Sequence, residues 1–323
     1  MKHPTALPDI HALLHLPHLS VQNANAISGP HSWGHPGPTH FTGLMTALER
    51  KLGNHGLSFV AVGMVNHGYQ IQTNGDYVKR FNLSRNPIDK DGSTPAIVEE
   101  GRIHLQLSLV FGLRLGPELL ESSDETLNEW APKILQVLQT LRIAGGSVLP
   151  NKSRLQPRLI RLGESIEDKQ KIFARNLRRY LLPGYVLVAR DDLLSSHHAE
   201  LQKTKPEATR LDAWLDLSRL NHFPVTDEET GKTEWRTSRQ AKRGWIVPLP
   251  VGYGAISDLY EAGEVANCRD DTTPVRFVES LYSLGEWLSP HRLTDYRQLF
   301  WYPTHDPESG VYRCCNDYAV QPE

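Results

Sequence analysis

The sequence predicts an α+β fold, with α/β the neighbouring alternative, on three observations. Ile103, Leu105, Leu107, Leu109, Phe111, Leu113 and Leu115 alternate along "GRIHLQLSLVFGLRL", the pattern of a strand with one buried face. Phe41, Leu44, Met45 and Leu48 fall at i, i+3, i+4 and i+7, the stripe of an amphipathic helix. Such segments interleave along the 323 residues with no break that marks a hinge, so residues 1–323 read as one domain.

In order, Leu16 to Ile27 reads as a strand running into a loop. The Gly/Pro-rich "GPHSWGHPGPTH" (29–40) is the loop itself. The Phe41–Leu48 helix follows, then a short apolar run over 57–65 that reads as a buried strand. The long polar stretch 82–104, with Arg85, Lys90 and Arg102, reads as an inserted or mobile loop. The alternating strand comes next. Its other face opens with Arg102, His104, Gln106 and Ser108, groups suited to solvent or RNA. A helix from about Asp124 to Leu141 ends in "LRIAGGSVLP", where Gly145 and Gly146 permit a tight turn. Ser165 and Asp168 resemble a capping box. The helix they start is expected to turn Phe173, Leu177, Tyr180 and Leu181 inward, and Lys169, Arg175, Arg178 and Arg179 outward. Pro183-Gly184 stops it and a strand opens at Tyr185. Two helices are expected between Asp191 and Leu220, then a polar, aperiodic loop or insertion over 221–243. From Gly244 short strands alternate with turns, with one helix near Arg276 to Leu284.

Hydrophobic content of 39% and charged content of 22% fit a soluble globular protein. No apolar run approaches the ~20 residues of a membrane helix, and the N-terminus lacks a signal-peptide pattern. Cys268, Cys314 and Cys315 are odd in number and form no CxxC, so a disulfide framework is not expected and a reducing cytoplasm is. The net charge of -2 argues against nonspecific coating of nucleic acid. The charge is nevertheless sorted. From Arg142 to Arg190 eleven Lys/Arg stand against three acids, a local excess of +8, while Glu118 to Glu129 holds five acids and no base. Sorting of this kind suits electrostatic focusing at a binding site. A solvated face is the plainer reading.

Seven of the fifteen histidines lie in the first forty residues. His11 and His15, and His31 and His35, are four apart, which on a helix would suit zinc. The surrounding Pro and Gly argue against a helix there, and no HExxH pattern occurs. Neither a metal nor a cofactor is expected, since GxSxG, Walker A and GxGxxG are absent too. An RNA-cleaving site would need a histidine near a 2′-hydroxyl. His31, His104 and His291 are available, with nothing pairing them in sequence. The nucleic-acid features cohere better. Gln22, Asn23, Asn25 and Ser28 are uncharged groups suited to base edges and sugar hydroxyls, and Trp33 can stack on an unpaired base. Trp287, His291 and Arg292 sit beside a Pro turn, and Arg175, Arg178 and Arg179 crowd "RNLRRYLLPGYVLVAR".

Seven stretches carry a family resemblance: "LSVQNANAISGP" with the Trp after it, "TGL…AL.R", "FNLSRNP…DGSTPAIVEEGRIHL", "LRIAGGSVLP", "RNLRRYLLPGYVLVAR", "GWIVPLPVGYGAIS" and "RFVESLYSLGEWLSPHR". The chain resembles, from about Leu16 to Arg313, the second Csy subunit of type I-F CRISPR surveillance complexes, a Cas-five-like member of the RAMP superfamily. The resemblance implies a modified RRM/ferredoxin-like palm with inserted lobes. It implies a non-catalytic subunit at the tail of the complex that grips the 5′ handle of the CRISPR RNA (crRNA). The partners implied are the large subunit, the adjacent backbone Csy subunit and, through the complex, target DNA. RNA contact is carried over to Gln22, Asn23, Asn25, Ser28, Trp33, Arg85, Asn86, Arg102, His104, Gly145, Gly146, Ser147, Arg175, Arg178, Arg179, His291 and Arg292. A RAMP endoribonuclease that processes crRNA with a histidine is the alternative. The family assigns no role to the His-rich start or to Cys314-Cys315.

Overall fold

The structure, a computed structural model, describes residues 6–76, 78–85, 88, 90–150, 153–220, 222–227, 230–237, 244–268 and 270–319. In chain order, β1 (Ala12–Asn25) is followed by β2 (Ile27–Gly29), β3 (Ser32–Trp33), helix α1 (Pro38–Leu52) and β4 (Leu57–Ile71). β5 (Thr73–Asn74), β6 (Arg80–Arg85) and β7 (Ile97–Glu100) form a small three-stranded sheet ahead of β8 (Arg102–Leu115). Helices α2 (Pro117–Glu121), α3 (Asp124–Asn128) and α4 (Trp130–Gln139) lead to β9 (Arg142–Ile143), β10 (Gly146–Val148) and β11 (Arg158–Arg161). Then come α5 (Ile166–Asn176), a 3-10 turn (Arg178–Leu181), β12 (Tyr185–Ala189), α6 (Asp191–Thr204) and α7 (Arg210–Ser218). The hairpin β13 (His222–Thr226) and β14 (Thr233–Thr237) precedes β15 (Trp245–Ala255), β16 (Val278–Leu288), β17 (Trp301–Asp306) and β18 (Val311–Asn316).

An eleven-stranded antiparallel sheet organises these elements, in the order β12-β16-β15-β18-β17-β4-β8-β1-β10-β9, with β11 also on β1. The architecture is α+β. At its centre, β8 pairs with β1 on one side and β4 on the other, and none of the three strands contains an Asp or Glu. Odd-numbered β8 residues from Ile103 to Leu115 are buried against the core that holds Phe41, Leu44, Met45 and Leu48 of α1 and Ile134 and Leu138 of α4. The opposite face is covered at one end only. There Leu13, Val65 and Val110 pack under Phe173, Leu177 and Leu181 of α5 and its following turn. At the other end Gln22, Gln70 and Gln106 remain exposed. Burial of one face along the whole sheet, and of the other along part of it, explains why β8 alternates strictly only in its first half.

Several expectations change. The 57–65 strand extends to Ile71, and β1 begins at Ala12 rather than Leu16. The helix read over 124–141 is two segments, α3 and α4. The polar stretches 82–104 and 221–243 are not aperiodic: they hold β6, β7 and the β13–β14 hairpin. The helix expected near Arg276 to Leu284 is strand β16, paired with both β12 and β15. Ser165 does cap α5, accepting the Asp168 N–H at 3.1 Å. Lys169 does not point outward: it is buried with its ammonium 2.5 Å from Asp9. Tyr180 does not point into the core but stacks among arginines. α5 ends at Asn176, so Arg178 and Arg179 belong to the 3-10 turn. All three cysteines are free.

Candidate nucleic-acid interface

Register brings polar side chains together at the uncovered end of the sheet. Residues paired across antiparallel strands share a face. Gln70 faces His104 from β4, and Gln22 faces Ser147 from β10, which in turn faces Arg142 from β9. A bulge in β1 between Val21 and Ala24 lifts Asn23, whose φ is 56°, so that its N–H donates to His104 Nδ1 at 3.1 Å. Gly146 makes the bulge possible. A Cβ there would stand 2.7 Å from the Ala24 nitrogen and 2.8 Å from the Gln22 carbonyl oxygen. Gly145, with φ 77°, turns the chain between β9 and β10.

The small sheet supplies a wall. Asn82 and Ser84 of β6 and Glu100 of β7 stand over this floor. The result is an open cleft of about 490 Å³ lined by Gln22, Asn23, Gln72, Asn82, Ser84, Glu100, Arg102, Arg142, Gly145 and Ser147. Hydrogen bonding from Arg102, at 2.9 Å, and from Ser84 holds the Glu100 carboxyl below the usual carboxylate range. Arg142 donates to the Gly145 carbonyl at 3.2 Å. The lining is rich in amides and hydroxyls, and its one carboxylate is neutralised. Such a surface offers donors and acceptors to the edge of an unpaired base.

Of the residues singled out by sequence, Gln22, Asn23, Arg102, Gly145 and Ser147 line this cleft. His104 and Gly146 support it from the floor. Asn25 and Ser28 are spent on local structure. The Asn25 amide closes a turn on both backbone groups of Ile27, at 2.9 and 2.7 Å, and Ser28 Oγ accepts the Gly37 N–H at 3.0 Å. Trp33 is exposed but packs edge-on to Phe81, 5.7 Å between centroids. Strand alternation puts that contact on the side of β6 away from Asn82 and Ser84. Trp287 is buried in β16 against His35. The side chain of Arg85, and all of Asn86, lie outside the described residues.

Arg175, Arg178, Arg179, His291 and Arg292 are not at the cleft. Arg179 joins Arg158 and Tyr180 at the opposite end of β1, where Arg158 pairs with His15. The guanidinium carbons of Arg158 and Arg179 lie 4.0 and 4.7 Å from the Tyr180 ring centroid, and Arg179 donates to its hydroxyl at 2.7 Å. Those bonds hold the phenol pKa down. The turn carrying His291 and Arg292 packs beside Arg178–Leu181. Six residues of β8 separate the two sites, about 20 Å at strand rise.

Sequence reasoning missed Gln72, Asn82, Ser84, Glu100, Arg142, Arg158 and the role of Tyr180. The alternation of Asn82 and Ser84 with Phe81 and Leu83 was a readable signal. Gln72 gave none.

Histidine chemistry is placed elsewhere. His67 Nδ1 donates to the Pro183 carbonyl at 2.6 Å, leaving Nε2 to accept the Ser108 hydroxyl at 2.7 Å. This resembles a nucleophile–base pair. Ser108, however, is fully buried and its oxygen already accepts the His18 N–H at 3.0 Å. His15 lies in β1 and His11 in the bend just before it, so the pair is not on a helix. Among the described residues no group of three or more His, Cys, Asp or Glu is placed to hold a metal ion. Nor is any helix among them long and apolar enough to cross a membrane.

Comparison with known proteins decides the family. Residues 14–314 match the CRISPR-associated protein family Cas_Csy2. The chain belongs to the Csy2 family. It is also 46% identical over 319 residues to "CRISPR-associated protein Csy2" of Pseudomonas aeruginosa (strain UCBPP-PA14), covering 95% of this chain and 96% of that one. Csy2 membership places the chain in type I-F CRISPR antiviral defence, as a subunit of a Csy complex with other Csy subunits as partners.

Proposed function

We propose that this Csy2-family chain is a non-catalytic crRNA-binding subunit that seats the 5′ handle in the cleft between β1, β8, β10 and the small sheet. The observation that carries the reading is the convergence of Gln22, Asn23, Arg102, Gly145 and Ser147 on one cleft, from three separate stretches of sequence. Amides, hydroxyls and paired charged groups offer the donors and acceptors that base edges need, whereas contacts to phosphate carry no sequence. The chain then works at the tail of the complex as one RAMP-type palm with inserted lobes. It contacts the large subunit and the adjacent backbone subunit, and meets target DNA through the complex. A projecting arm supports the protein contacts: Tyr260 and Phe277 pack together, 5.8 Å apart, beside exposed Ile256 and Val278. The endoribonuclease alternative finds no favouring geometry, since the histidine beside the cleft, His104, is occupied by the Asn23 N–H.

The test is competition between handle and scrambled RNA. Gln22→Ala together with Asn82→Ala should cost about tenfold in discrimination, the order of one lost base-edge contact pair. Equal loss for both RNAs would sink the assignment. Cut RNA on a denaturing gel, abolished by His104→Ala, would favour the nuclease.

A further inference from the structure

We infer that the open end of the central sheet, together with the partly open His18 and His67 rings that roof its next row, is a track for single-stranded RNA running from the cleft to the Arg158–Tyr180–Arg179 stack at the sheet edge. This inference rests on the handle reading and extends it. Four observations carry it. First, β1, β4 and β8 contain no acid, and the carboxylates at the two ends, Glu100 and Asp124, are paired with Arg102 and Arg161. Second, the face is continuous in register. Beyond the Gln70–His104 row lies Gly68–Gln106–Ser20, and beyond that Ser108, roofed by the His18 and His67 rings stacked 4.1 Å apart. Gln106 is exposed, and Ser20, His18, His67 and Gly68 are all partly open. Third, the next row ends in Arg158, beside His15, a fully buried ring whose two nitrogens find no hydrogen-bond partner. Fourth, among the described residues no carboxylate pairs with Arg158 or Arg179. The acid lining the same hollow, Asp124, is taken by Arg161 at 2.9 Å.

Successive rows on a strand face repeat every two residues, about 6.7 Å, a step that an extended nucleotide can follow. The track therefore spans about four nucleotides, the short end of single-strand platforms. The chemistry changes along it: base-edge groups in the cleft, small polar groups and ring edges across the middle, and guanidinium groups over an aromatic ring at the far end. Arg158 and Arg179 thus hold the strand after its handle has been read, rather than reading the handle.

The experiment compares two RNAs on the full-length chain. One has about two handle nucleotides, enough to fill the cleft alone, and the other about twelve, continued in the natural 3′ direction. Arg158→Ala plus Arg179→Ala should leave the short RNA unchanged. On the long RNA it should lower the slope of log affinity against log salt by about 1.4, two phosphate contacts. Gln106→Glu, at an exposed position that folding does not need, should weaken the long RNA more than the short. An unchanged long-RNA slope overturns the track. So does equal loss on both lengths, or a loss seen only when the large subunit is present, which would assign the arginines to acids of a protein partner. If neither length is preferred over scrambled RNA by the wild-type chain, the handle reading itself has failed. If the short RNA is preferred and length adds nothing, only the track has failed.

Discussion

Two buried imidazoles set the pH response. Burial, with Arg158 beside it, drives His15 to about 3, and burial drives His35 to about 4. Both lie below the ~6.5 of an unfolded chain, so these rings gain protons only on unfolding. The stability they confer is complete above about pH 6.5 and is lost toward pH 4, at about 1.4 kcal/mol per pH unit for each ring. Urea midpoints at pH 7.5, 6 and 5 should fall accordingly, and His15→Leu should remove one ring's share of a slope to which His40 and His67, also lowered by burial, contribute. A pH-independent midpoint would show both rings to be solvated. The Asp9–Lys169 pair is lopsided in another way: the ammonium side chain is 8% exposed and the carboxylate 61%. Asp9→Asn strands a buried charge and should cost on the order of 3 kcal/mol, whereas Lys169→Met leaves a solvated carboxylate and should cost under about 1. Equal costs in denaturant titrations would refute the asymmetry. Neither effect was legible in sequence. Lys169 reads as a surface residue on an amphipathic helix, and its partner lies 160 positions away.

At the scale of elements, legibility followed the number of buried faces. α1 and β8 each bury one face against the same core, and their periodicities gave them away. Around β16, Phe277, Leu281 and Leu284 fall at i, i+4 and i+7, a spacing that also fits a helix. Pairing on both sides by β12 and β15 overrides that local pattern. The cleft was half legible. Uncharged groups in β1 and the glycine turn stood out, while its wall was hidden in a stretch that looked like loop. Gly146 links fold to site. Gly146→Ala must push the Ala24 and Gln22 backbone and should reduce both the thermal midpoint and handle discrimination. At Gly145 nothing lies within 4 Å of an added Cβ, so only the left-handed backbone resists. Gly145→Asn, a residue that accepts that conformation, should cost under about 1 kcal/mol. Calorimetry and competition binding on the two variants check the contrast.

Across the whole molecule, the charge sorting seen along the chain becomes spatial. The acids of residues 118–129 ride on α2 to α4, and the open sheet face has none. Arg161 ties the two regions by donating to the carbonyls of Leu119, Leu120 and Ser122 at 2.8 to 3.1 Å. By sequence it was one more member of a basic run; in the fold it caps the end of α2. The β13–β14 hairpin is the reverse case, a unit whose strands, among the described residues, pair only with each other. Replacing residues 221–238 by a short Gly/Ser link should move the thermal midpoint by no more than about 2 °C. A larger fall in a thermal scan would mean the hairpin is part of the core.

The outer edge of β1 is shared between two partners, β11 over Ala12–His15 and β10 over Val21–Gln22, and between them the register slips at Leu16/Leu19 with His18 at φ 47°. An edge interrupted in this way exchanges its amide hydrogens as two separate cooperative units. The β9–β10 rim of the cleft can open and reclose while β11 and the apolar half of the sheet stay protected. On the proposed function, hydrogen exchange should find the β9–β10 amides opening apart from those of β11, which is the rim an RNA strand would enter by.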